Sequence, residues 1–273
     1  MNMKRMIRAS LLIVTLPIAG AALADAANDA DYALGGNVAA TSDYVFRGLT
    51  QTWGGPVIQG GADLTMKSGF AAGLWASSIS EKSYPGASLE LDVYASYGRE
   101  IDEDWSWRAG LYGYLYPDGN LDDAGLRSRS FDTVEANAAL TWKWLTLKYS
   151  SSLTDYFGID VEQGYRGDSK GTAYLELDAA VPLAGRWSLA LHAGRTNVAT
   201  RLAVPLANGA DDPDYDDVGA TLKCQLAARW SASLGASYAD NPAFYGRTAS
   251  FTSPADTKNV GGSRAFVMLQ GTF

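Results

Sequence analysis

From residue 33 onward the chain repeats one pattern: about ten residues of alternating polar and apolar side chains, then a break. In 88–98, Leu89, Leu91, Val93, Ala95 and Tyr97 fall on one face, and Ser88, Glu90, Asp92, Tyr94 and Ser96 on the other. The stretch 172–181 behaves alike, with Ala173, Leu175, Leu177, Ala179 and Val181 opposed by Thr172, Tyr174, Glu176, Asp178 and Ala180. Successive side chains of a strand point to opposite sides, so each segment is a strand with one apolar and one polar face. No apolar run of about 20 residues follows the first two dozen residues, which excludes a membrane-spanning helix there. A chain that enters a bilayer without such a helix must close into a barrel, because hydrocarbon leaves no backbone group unpaired.

Twelve segments carry the pattern: 33–46, 57–66, 70–79, 88–99, 105–116, 132–142, 144–153, 172–182, 187–196, 216–228, 230–239 and 263–273. Most match the roughly 9–11 residues a tilted strand needs to cross a bilayer. Five short links, near 67–69, 101–104, 143, 183–186 and 229, alternate with six long ones, near 47–56, 80–87, 117–131, 154–171, 197–215 and 240–262. Short periplasmic turns, long external loops and an even strand number are the plan of an outer-membrane barrel. The expected fold is therefore an all-β, transmembrane, antiparallel up-and-down β-barrel of about 12 strands.

Six of the eight tryptophans (Trp105, Trp107, Trp142, Trp144, Trp187, Trp230) stand at short-turn ends, joined by Phe70 and Phe273. Tyr44, Phe46, Tyr156, Tyr215 and Tyr238 stand at long-loop ends. Aromatic rings favour the headgroup level, so two belts one strand-length apart are expected. A soluble β-sandwich would also alternate, but would not place tryptophan at only one kind of turn.

The N-terminus reads as an export signal. Lys4, Arg5 and Arg8 precede the apolar run 11–22, and Ala22-Leu23-Ala24 forms an A-x-A cleavage site. Cleavage after Ala24 would leave 25–32 as a short periplasmic tail and 33–273 as one barrel domain. Removing three of the 22 Lys and Arg leaves 19 against 30 Asp and Glu, or −11. An acidic chain without a basic stripe argues against nucleic acid as a partner. The last strand, Arg264 to Phe273, ends on Phe behind alternating Ala265, Val267 and Leu269. That ending resembles the signal read by the bacterial barrel-assembly machinery, a partner it implies.

A longer string marks a family. Gly36-Asn37-Val38 and Thr41-Ser42-Asp43-Tyr44-Val45-Phe46-Arg47-Gly48 are followed by Gln51-Thr52, Pro56 and Gln59-Gly60-Gly61. Gly69-Phe70, Gly73, Trp75-Ala76-Ser77, Glu90-Leu91-Asp92 and Tyr94 come next, and Asp155-Tyr156-Phe157-Gly158 lies mid-chain. This resembles the TorF-type porins, the conserved hypothetical family Gcw_chp. The resemblance implies an outer-membrane barrel and a porin role, and carries no catalytic residue.

Chemistry beyond transport has little to stand on. His192 is the only histidine, no G-x-S-x-G string is present, and no Ser-His-Asp spacing is evident. No enzymatic role is expected; a lipid-modifying barrel is the remote alternative. One His and one Cys cannot build a transition-metal cluster, so neither metal nor cofactor is expected. Asp211, Asp212, Asp214, Asp216 and Asp217 read as a solvated acidic loop facing lipopolysaccharide and its bridging ions. Asp118-Gly-Asn120-Leu-Asp122 begins like a calcium loop, but lacks the Gly and the closing Glu. Cys224 shares a face with Val218, Ala220, Leu222 and Leu226 and is expected to point to lipid.

The polar faces project inward. Asp43, Arg47, Asp63, Glu90, Asp92, Arg108, Glu135, Lys148, Glu176, Asp178, His192, Asp217, Lys223 and Arg264 then line the lumen, with Tyr112, Tyr114 and Tyr116 as an aromatic row. Charge faces inward because a lipid-facing charge costs about 2–4 kcal/mol at mid-depth. Glu90 or Asp92 is expected to meet Arg108, and Glu135 to meet Lys148. Such rows either order permeating solutes or lock a narrow barrel with salt bridges. The expected function is passive diffusion of small polar solutes across the outer membrane, with mild cation preference; the alternative is a closed structural or binding barrel.

Overall fold

The computed structural model describes residues 30–273; the expected leader and most of the expected tail lie outside the described residues. Twelve strands form the wall: β1 Tyr32–Thr41, β2 Val57–Met66, β3 Phe70–Ser78, β4 Leu89–Glu100, β5 Trp105–Leu115, β6 Thr133–Trp142, β7 Leu145–Ser152, β8 Ala173–Pro182, β9 Trp187–Asn197, β10 Tyr215–Ala227, β11 Trp230–Ala239 and β12 Gly262–Thr272. Each pairs antiparallel with its chain neighbours, and β12 returns to β1 to close the barrel. The closing seam is short, running from Asn37 opposite Thr272 to Thr41 opposite Met268. Closure leaves no sheet edge to solvate. No helix among the described residues is long and apolar enough to cross a membrane, which says nothing about strands.

The period-two pattern sorts side chains as expected. Leu74, Leu89, Val93, Leu111, Leu140, Leu147, Leu175, Leu177, Leu191, Val218, Leu234, Val267 and Leu269 are exposed on the outer face. Their polar neighbours Glu90, Asp92, Glu135, Glu176, Asp178 and Asp217 are buried inside. Such an inside-out arrangement suits a wall with an apolar solvent outside. The six short-turn tryptophans stay 38–47% exposed on that outer face, as one belt. Cys224 lies on the same face but is buried, opposite Trp187 on β9.

Two expectations need correction. The first strand does not run to residue 46: it stops at Thr41, and 42–56 folds inward. Val45–Phe46 pairs with Leu49–Thr50 across a two-residue turn in which Arg47 and Gly48 both have positive φ (47° and 75°). That is the geometry of a type I′ hairpin. A Cβ on Gly48 would come within 2.7 Å of Asp217 Cβ and 2.8 Å of Ala239 Cβ, so glycine lets the turn press against β10 and β11. The long-loop aromatic belt is also absent in the form expected. Tyr44, Phe46, Tyr156 and Tyr215 are buried in the interior, and only Tyr238 is exposed.

Those inward rings make a core. Tyr44, Phe46, Trp75, Tyr114, Tyr116, Leu121 and Phe131 form one buried cluster, with Tyr84, Tyr112 and Phe157 packed against it. Phe46 meets Tyr114 and Phe157 edge-on at centroid distances of 5.6 and 5.8 Å. Loop residues therefore fill much of the barrel's long-loop half.

Candidate functional site: a charged lumen under an inward hairpin

The hairpin is anchored at its base by Asp43. Its Oδ1 accepts from Thr50 Oγ1 (2.6 Å) and Thr52 Oγ1 (2.7 Å), and its Oδ2 lies 3.3 Å from Arg264 Nη1 on β12. At the tip, Arg47 crosses the barrel to β6. Its Nη1 and Nη2 donate to Glu135 Oε1 and Oε2 at 2.8 and 2.7 Å, and Nη1 also donates to Tyr156 Oη at 3.1 Å. The guanidinium lies 4.2 Å from the Tyr174 ring centre and 4.8 Å from that of Phe46. Tyr114 Oη donates to Glu135 Oε2 at 3.3 Å. A planar fork matched to a carboxylate and stacked on rings is a geometry only arginine supplies. Burial lowers the affinity of Arg47 for its proton, but Glu135 outweighs it and holds the guanidinium charged.

A second cluster joins β8, β9 and β10. His192 Nδ1 lies 2.6 Å from Asp178 Oδ1; Nε2 lies 2.9 Å from Asp217 Oδ1 and 2.8 Å from Tyr174 Oη. Tyr174 Oη in turn donates to Asp217 Oδ2 at 3.0 Å. Both ring nitrogens thus meet acids, so the imidazole bridges two carboxylates, with the Tyr174 hydroxyl beside Nε2. Beside it, Lys148 Nζ pairs with Glu176 Oε1 at 2.5 Å across directly opposed positions of β7 and β8. Ligand atoms of Glu176, Asp178 and His192 lie within 4.8 Å of one another, the nearest approach to a metal-ligand trio found among the described residues. Lys148 already balances part of that charge.

The expected partners are therefore reassigned. Arg108 stands opposite Gly98 and donates to Ser96 Oγ at 2.8 Å; it does not reach Glu90 or Asp92. Glu135 stands opposite Ser152, while Lys148 stands opposite Ala139 and Glu176, so Glu135 pairs with Arg47 instead. Asp63 accepts from Tyr94 Oη at 2.5 Å, and the Tyr94 ring stacks on Tyr112 at 4.7 Å and 11°. Lys223 stands opposite Ser188 and Ser233. Tyr116 stacks on Tyr84 at 4.5 Å. Glu90 accepts from Tyr44 Oη at 3.3 Å, and Asp92 lies opposite Trp75 and Tyr114.

The acidic loop is not an open anionic patch. Asp211 meets Arg166 at 2.8 Å, Asp212 meets Arg201 at 2.7 Å and Asp216 meets Arg195 at 3.0 Å. Asp214 accepts from Val198 N at 2.7 Å and Asn197 Nδ2 at 2.9 Å. Nor does 118–122 form a cation loop. Asn120 Oδ1 accepts from Asp122 N and Arg129 N, capping the short 3-10 turn Leu121–Ala124.

The hairpin, its Tyr156 and Tyr174 contacts and the core around it escaped sequence reasoning. The one signal for them was Gly48, closing a tight turn two residues after a ring.

Known structures share the fold. A KdgM porin in complex with disordered oligogalacturonate superposes with a TM-score of 0.51, at 8% identity, over 88% of this chain and 99% of that one. A NanC porin gives 0.51 at 12% identity, over the same shares. No curated protein matches the sequence. The profile of one family, described as a bacterial protein of unknown function (Gcw_chp), matches residues 25–273, and the chain belongs to that family.

Proposed function

We propose that this protein is an outer-membrane channel that passes small polar solutes by diffusion, with a mild preference for cations. The observation that carries the reading is the sorting of side chains: an apolar outer wall ringed by tryptophan, around an interior of charge and tyrosine. In this reading the short turns face the periplasm, and the long loops face outward among lipopolysaccharide. Phe273, exposed at the end of the closing strand, is the residue offered to the assembly machinery. The likeness to the TorF-type porins, strongest over 35–97, and the porin fold of the similar structures support the same role. One of those structures holds oligogalacturonate, a polyanion. The excess of lumen acids here argues for a different, uncharged or cationic cargo.

The buried hairpin favours a second reading, a barrel closed at rest. Single-channel recording on protein refolded into planar bilayers separates them. Discrete conductance steps support the channel; silence in both wild type and a variant freed of the Arg47–Glu135 contact leaves the closed barrel.

A further inference from the structure

At the short-turn rim, three consecutive hairpins set a cation beside an outer tryptophan. Lys143 stands between Trp142 and Trp144 in the turn from β6 to β7, Arg186 precedes Trp187 from β8 to β9, and Arg229 precedes Trp230 from β10 to β11. All three cations and all four rings are exposed. Backbone bonds pin each turn to the end of the next strand: Trp144 O accepts from Ala180 N at 2.9 Å, Arg186 O from Gln225 N at 2.8 Å, and Arg229 O from Thr272 N at 2.9 Å. The turns therefore make one continuous arc over half the rim, with neighbouring hairpins two strand spacings, or about 10 Å, apart. Lys143 Nζ stands 5.2 Å from the Trp142 ring centre, and the Trp230 ring lies against Gly271, where a Cβ would come within 3.2 Å of it.

The arc lacks counter-charge of its own. Turns 183–186 and 226–229 hold no acid, and Arg186 and Arg229 take part in no salt bridge among the described residues. Lys143 meets Asp104 of the adjoining turn at 3.4 Å, a half-exposed contact. At the other rim the cations are answered within the protein: Lys82, Arg129, Arg166, Arg195 and Arg201 each pair with an acid. Tryptophan settles at headgroup level, so a cation next to it in sequence is held at the depth of lipid phosphates. Arginine's planar fork matches a phosphate with two donors. We propose that this arc binds the phosphates of anionic glycerophospholipids in the leaflet that the short turns face, through Arg186 and Arg229 first and Lys143 third. The inference rests on the membrane setting of the channel reading, but not on an open path through the barrel.

The arc's own tryptophans report the outcome. Wild-type protein is refolded into vesicles of equal phosphatidylcholine and phosphatidylglycerol, with the chains of one lipid or the other brominated. Quenching of tryptophan emission then shows which lipid sits beside the wall. Phosphatidylglycerol should be preferred about fivefold or more at low salt, the scale of one basic residue at an anionic surface. The preference should fade in molar salt, where the screening length falls to about 3 Å. Arg186→Gln/Arg229→Gln should abolish it, and Arg186→Lys/Arg229→Lys should keep most of it. Equal quenching by both lipids in folded wild type overturns the inference, as does a preference that the glutamine variant retains. Should that variant not fold, a wild-type preference indifferent to salt overturns it instead. Conductance is read separately: a silent barrel that keeps the preference loses only the channel, and a conducting barrel without it loses only the lipid arc.

Discussion

Arg47 and Glu135 lie 88 residues apart in the chain and meet across the barrel through two parallel hydrogen bonds of 2.8 and 2.7 Å. Their side chains are only 5% and 2% exposed. Truncating Arg47 to Met leaves Glu135 buried and uncompensated, a loss expected to cost about 3–5 kcal/mol. Adding Glu135→Gln should restore most of it, because the stranded charge is then gone. Urea unfolding in detergent measures both.

Lys148 and Glu176 provide a reciprocal pair for ion selectivity. Glu176→Gln bares a cation in the lumen and should shift the reversal potential toward anions. Lys148→Met bares an anion and should shift it the opposite way by a similar amount. Both shifts should shrink in molar salt, where the screening length falls to about 3 Å.

How much of this was legible in the sequence depends on range. Strands are written at period two, and the boundaries of β2 and β11 agree with the structure to the residue. Neighbour register was also written there, in the turns: Ile101 to Asp104 sets Glu100 against Ser106, hence Gly98 against Arg108. Reading charge alone, without counting back from the turn, set Arg108 against the wrong acids.

The hairpin is a different case. Val45, Phe46, Leu49 and Thr50 continue the look of a strand, and Arg-Gly is a weaker turn signal than Asn-Gly. What directs it inward is Asp43 binding Thr50 and Thr52, together with rings contributed by several distant segments. Tertiary contacts of that kind leave no local period to read. The same holds for Tyr156 and Tyr215, placed at the right depth by sequence but on the wrong side of the wall.

The outer belt should behave as surface anchorage. Replacing Trp105, Trp142, Trp187 or Trp230 with Ala should each lower stability in lipid by about 1 kcal/mol, as for a half-buried ring. Trp75→Ala, inside the core, should cost about 3–5 kcal/mol. Refolding titrations in lipid vesicles compare them.

Alkali should loosen the loops. Burial pushes Tyr165 up to about 12 and raises Tyr156 and Tyr245 above their usual 10.0. The folded loops then keep protons that the unfolded chain has lost. Their stability is intact below pH 10 and falls as pH rises from there toward the folded values. Protease nicking of the long loops, followed against pH, should stay flat up to about pH 10 and rise beyond it.

The account turns on whether the inward hairpin narrows a path that otherwise runs through the barrel. Single-channel conductance of Arg47→Ala/Glu135→Gln protein, set against wild type in the same bilayer, asks this directly. Steps several-fold larger in the double variant are the predicted result. Equal conductance in the two, with the variant shown to be folded, would contradict it.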